Sequence, residues 1–158
     1  MKFFFIFLVL ICDVLAVEVE ACQPCATTLT LAETSKQSDL IIIGQKIKEG
    51  PSSDFLGAIR GPDWIDIKVI RVLKGKESQE VIRVNSWDGM CSFGIAVNDK
   101  TYLIFLQKRI PPATEDYQYD AVNQGCSVKV YQIEDNDQVD VDGRKIPLDD
   151  FVGSLSVK

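Results

Sequence analysis

Cys22-Gln-Pro-Cys25 is the pair of side chains in this sequence best spaced to do chemistry of its own. A Cys-x-x-Cys pair supports disulfide exchange when one thiol is held as a low-pKa thiolate at a helix start and the other resolves the mixed disulfide. That context is a strand feeding a helix, and no strand pattern precedes Cys22. The structural reading is simpler: each of these cysteines is tied to one of two distant partners, Cys91 or Cys126. Four cysteines allow three pairings, and closing loops of this length stabilises a fold by roughly 4 kcal/mol per bridge in the chain-entropy model.

A second near-motif is Gln138-Val-Asp140-Val-Asp142-Gly143, with Asp149 beyond it, which approaches the spacing of an EF-hand calcium loop. Its first position is Gln, its last is Asp in place of Glu, and a strand pattern leads into it. A hairpin turning at Asp142-Gly143 explains the same letters. There is no histidine, so Ser-His and Cys-His nucleophilic pairs and His-based zinc sites are excluded. The carboxylates fall on turns and strand ends with no signature of a paired acid and base. The sequence therefore predicts a protein that is not an enzyme and needs no cofactor.

Residues 1–21 read as a secretory leader: Met1-Lys2, an apolar run from Phe3 to Cys12, and the small-x-small pattern Val19-Glu-Ala21. Val14-Leu-Ala16 fits the cleavage rule as well, so the first mature residue is Cys22 or Val17. The apolar run is too short to cross a bilayer, which takes about 20 residues. Removing the leader also removes Cys12 and turns five cysteines into an even number, as expected of disulfides in an oxidising compartment. The expected location is extracellular, with no membrane span. A net charge of −6 argues against nucleic acid as a partner. Arg71, Lys74 and Lys76 are expected as a solvated group at a strand end. From Cys22 to Lys158 the length suits one domain, expected to be a monomer.

The elements that must position these residues read as mostly β. Strands are predicted at Asp39–Ile47, Trp64–Leu73, Glu80–Val84, Lys100–Gln107 and Ser127–Ile133, the last turning through Glu134–Asp137 into Gln138–Val141. Helices are predicted over Thr28–Gln37 and Pro147–Leu155. Gly50–Pro62 reads as a long glycine- and proline-punctuated loop, where a surface with a role would lie. Five or six short strands with a helix at either end imply a small antiparallel barrel or sandwich.

The order of these features resembles the netrin-like domain of the tissue inhibitors of metalloproteinases. The residues that carry the resemblance are the cysteines after the leader, Ser38-Asp39-Leu40-Ile-Ile-Ile-Gly44, Ile67-Lys-Val-Ile-Arg-Val-Leu-Lys-Gly75, Gly89-Met-Cys91-Ser-Phe, Tyr102-Leu-Ile-Phe-Leu106 and the late Cys126. It covers Cys22 to about Phe151. What it implies is a mainly β, five-stranded OB-type antiparallel barrel with flanking short helices. It also implies disulfides Cys22–Cys91 and Cys25–Cys126.

By the same resemblance the protein would inhibit an extracellular zinc metalloproteinase. The α-amine and carbonyl of Cys22 would chelate the target's zinc, Gln23 would enter the adjacent pocket, and Pro24, Cys25, Gly89 and Met90 would complete the contact. An uncharged amine is a good zinc ligand, and a disulfide-held terminus loses little entropy on binding. The family's inhibitors typically open with Cys-x-Cys, whereas here Pro24 adds a residue, and the family's six-cysteine C-terminal domain has no counterpart. The alternative is an extracellular netrin-like binding module without inhibitory activity.

Overall fold

A computed structural model describes residues 28–55, 58–86, 95, 97–109, 117–122, 128–141 and 143–155. Its centre is a closed five-stranded barrel of OB type, built from β1 (Leu40–Glu49), β4 (Trp64–Lys74), β5 (Val81–Asn85), β7 (Tyr119–Ala121) and β6 (Thr101–Lys108). Neighbours pair in that order, and β6 returns to β1 with Ile42 opposite Ile104 and Gly44 opposite Tyr102. All pairings are antiparallel except β5 with β7, a short parallel seam of Val84 with Tyr119 and Asn85 with Asp120. β8 (Val130–Gln132) runs on along β6 beyond β7, so β7 and β8 act as one strand interrupted by residues 122–129.

Alternation along β1 and β6 sends side chains to two separate cores. Leu40, Ile42, Ile65, Ile67, Ile82, Val84, Tyr102, Ile104, Leu106, Tyr119 and Ala121 fill the barrel interior. Ile41, Ile43, Leu103 and Phe105 point outward and are covered by Leu148 and Phe151 of α2 (Leu148–Ser154), by Leu155 after it and by Val139. Tyr131 joins this cover, its ring edge-on to Phe105 at 6.2 Å and to Phe151 at 5.1 Å. Aromatic pairs favour this geometry because the positive ring edge meets the negative ring face.

α1 spans Leu31–Gln37, starting later than the predicted Thr28. The reason is Thr30, which forms a capping box with Glu33: the Glu33 N–H donates to Thr30 Oγ1, and the Thr30 N–H donates to Glu33 Oε2. Ser35 Oγ donates to the Leu155 carbonyl at 2.8 Å and locks α1 to the end of α2. Lys74, expected to be solvated, instead donates to the carbonyl of Ser35 at 2.7 Å, where a cation satisfies a helix C-terminal carbonyl. The next residue, Gly75, turns with φ +86°, and a Cβ there would strike the Asp39 carbonyl oxygen. β4 can end under the start of β1 only with glycine at this position.

The stretch from Gly50 to Pro62 is a hairpin, β2 (Ser52–Phe55) with β3 (Ala58–Pro62), where a loop was expected. Gln138–Val141 is β9, paired antiparallel with β10 (Arg144–Pro147). Asp140 Oδ1 accepts from the Gly143 N–H at 2.8 Å, which is turn chemistry and agrees with the hairpin reading of this segment. Pro147 ends β10 and caps α2.

Candidate functional site

The contact residues named from the sequence, Cys22, Gln23, Pro24, Cys25, Gly89 and Met90, lie outside the described residues, as do Cys91 and Cys126. What the fold describes is where their segments leave it. Leu29 packs with Leu31 against the outer core that includes Val122. The 87–94 segment leaves from Asn85 and Ser86, which are 9% and 3% exposed, and returns at Ile95, buried against the interior core.

The exit at Ser86 is firmly rooted. The Ser86 N–H donates to the Asp63 carbonyl, and Asn85 Nδ2 donates to Asp120 Oδ1 at 2.8 Å across the parallel seam. Arg109 Nε lies 3.8 Å from Asp120 Oδ2, and its guanidinium lies over the Tyr117 ring. β5, the end of β6 and the start of β7 are thereby tied together where the 87–94 segment begins.

Beside this root sits an arrangement the sequence reading missed. Trp64 is opposite Asn85, and the Arg83 guanidinium stacks on the indole at 3.7 Å. Arg83 also makes a bidentate pair with Asp66, Nε to Oδ1 at 2.7 Å and Nη2 to Oδ2 at 3.0 Å. Lys48 Nζ lies 5.6 Å from the same ring. Gly50 lies so close to the indole that a Cβ there would meet it at 2.6 Å. The planar fork of an arginine can satisfy a carboxylate and stack at once, so the tryptophan is held in one orientation at the base of the β2–β3 hairpin. The only sequence signal was the alternation of β4 and β5, which puts Asp66 and Arg83 on one face once their register is known.

At the other end of β5, an open cleft of about 570 Å³ is lined by residues of the β4–β5 connection with Lys108, Gln118 and Tyr119. Tyr119, 5% exposed, donates its hydroxyl to Glu77 Oε2 at 2.6 Å. Burial and then the carboxylate push the phenol well above its ordinary range. Burial also acts to raise Glu77, but the hydrogen bonds from Tyr119, Gln79 and Ser78 and the charge of Lys108 outweigh it and leave the carboxyl below its usual value. These groups hold the connection onto the barrel.

Among the described residues no cluster of three or more His, Cys, Asp or Glu could hold a metal ion, and no helix is long and apolar enough to cross a membrane. No protein-family model matches the chain, and no curated protein matches it.

Proposed function

We propose that the protein is a secreted, non-enzymatic inhibitor of extracellular zinc endopeptidases, acting through the α-amine and carbonyl of Cys22. The observation that carries this reading is the closed OB-type barrel, with α1 leading into β1 and the 87–94 segment leaving a rooted β5. The Cys22–Cys91 and Cys25–Cys126 bridges are part of this proposal. Leu29, four residues after Cys25, shares a core with Val122, four residues before Cys126. Cys91 and Cys126 flank Ile95 and Val128 of the interior core in the same way, so the pairing is best read directly.

The first experiment is the intact mass and non-reducing peptide map of the secreted protein. The expected result is a Cys22 N-terminus, with Cys22 bridged to Cys91 and Cys25 to Cys126. A mass that retains Val17–Ala21 would overturn the chelation, since the amine would then belong to another residue. A Cys22–Cys25 bridge would point to thiol–disulfide exchange instead. The second experiment measures inhibition of a panel of zinc endopeptidases before and after the amine is carbamylated. Inhibition should vanish while the thermal transition stays in place. No inhibition by the untreated protein, or equal inhibition by the capped form, would favour the non-inhibitory binding module.

A further inference from the structure

The large apolar side chains that are most exposed among the described residues, Ile47 at 52%, Ile70 at 53% and Val81 at 40%, all lie on β1, β4 and β5. Register places them on one stretch of the barrel wall. Gln45 is opposite Lys68, which is opposite Val81, and Lys48 is opposite Asp66, which is opposite Arg83. Directly opposed residues share a face of the sheet. Ile47 and Ile70 are the extra residues at two register shifts between β1 and β4, so bulges turn them outward in the middle of their strands. On the same two strands, Ile41, Ile43 and Leu73 pack instead with α2 and β9.

Charge gives the face its partner chemistry. Arg83 is neutralised by Asp66, but Lys48, Lys68 and Arg71 have no carboxylate partner among the described residues, in a chain of net charge −6. Glu49 and Glu80 are exposed at the end of β1 and just before β5, and five further exposed acids, Asp135, Asp137, Asp140, Asp149 and Asp150, lie on or before β9 and on α2. Lys68 and Arg71, with no carboxylate partner among the described residues, and Lys48, which lies over the Trp64 ring, are interleaved with three exposed aliphatics and complement a surface that is both acidic and apolar. Sulfated polysaccharide would use the cations and leave the aliphatics in water. We infer that the outer face of β1, β4 and β5, ending at the Trp64–Arg83 stack, docks an acidic protein surface. This inference does not depend on protease inhibition.

The test is amide chemical-shift mapping of the full secreted protein with a soluble synthetic peptide of mixed glutamate and leucine, with a heparin oligosaccharide, and on dilution with no ligand. The peptide should shift amides of Gln45, Ile47, Lys68, Ile70 and Val81. Affinity should fall about tenfold or more in the double variant Lys68→Glu/Arg71→Glu, and measurably in Ile70→Ser. All three side chains are exposed, so an unchanged thermal transition confirms that both variants fold. No peptide shifts, or shifts confined to other strands, would overturn the inference. Heparin binding that is lost in the charge variant but untouched by Ile70→Ser would reassign the face to polysaccharide. Dilution shifts on the same amides, abolished by charge reversal, would reassign it to a second copy of this chain through its own exposed acids.

Discussion

Ile41, Ile43, Leu103 and Phe105 point outward from the barrel, and so do Ile47, Ile70 and Val81, yet the two sets meet opposite fates. The first is sealed under α2, β9 and Tyr131, with Phe105 1% exposed, while the second stays in water. The difference is in the neighbours. Around the covered set the chain supplies aliphatic and aromatic partners from Val139, Leu148 and Phe151; around the bare set it supplies Lys48, Lys68 and Arg71. An outward aliphatic stabilises the fold only when another element excludes water from it, so the same residue type is structural on one wall and available for contact on the other.

Paired truncations break this comparison most directly. Phe105→Ala should cost about 3–5 kcal/mol because it opens a cavity among Tyr131, Phe151 and Val122, whereas Ile70→Ala should stay within about 0.5 kcal/mol. Urea denaturation of both variants measures the contrast, and similar losses would mean that the bare wall is covered after all. Next in size, Gly75→Ala should destabilise by about 2–3 kcal/mol, since it combines a positive φ with a clash against the Asp39 carbonyl oxygen. A stability equal to that of the parent protein would show that the entry of β1 beneath α1 can shift.

The smallest effect is the one that depends on pH. Glu77 is held below its ordinary value of 4.5, so its contribution is fully present above that value and is lost as pH falls through the lower folded value. Tyr119→Phe removes a donor to this carboxylate and should cost about 1–2 kcal/mol at neutral pH. The deficit should narrow in acid as Glu77 takes up a proton, and denaturation midpoints across a pH series would reveal it. A deficit that does not change with pH would mean that Tyr119 acts by packing alone.

Long alternating or apolar runs were legible in the sequence: β1, β4, β5 and β6 begin and end within two residues of their predicted bounds, and α2 within one. The strand that closes the barrel was not. Tyr119-Asp-Ala121 is too short to show a period, and its identity as a strand comes from pairing with β5 and β6, which is a tertiary fact. Lys74 was misread for the same reason, because its role depends on carbonyls nearly forty residues away in sequence. Trp64, Asp66 and Arg83 meet only through the β4–β5 register. The contact residues proposed around Cys22 and Gly89 came from resemblance and lie outside the described residues, whereas the Trp64 stack beside their root emerged from geometry alone.

The interruption between β7 and β8 bears on how this fold can change over generations. Ala121 and Val130 both face the barrel interior on either side of the excursion, so the hydrogen-bond ladder along β6 resumes in phase after it. The pairing of β7 and of β8 with β6 therefore does not depend on how many residues join Val122 to Val128. Selection can lengthen or shorten the chain between those two points while the wall on either side stays as it is.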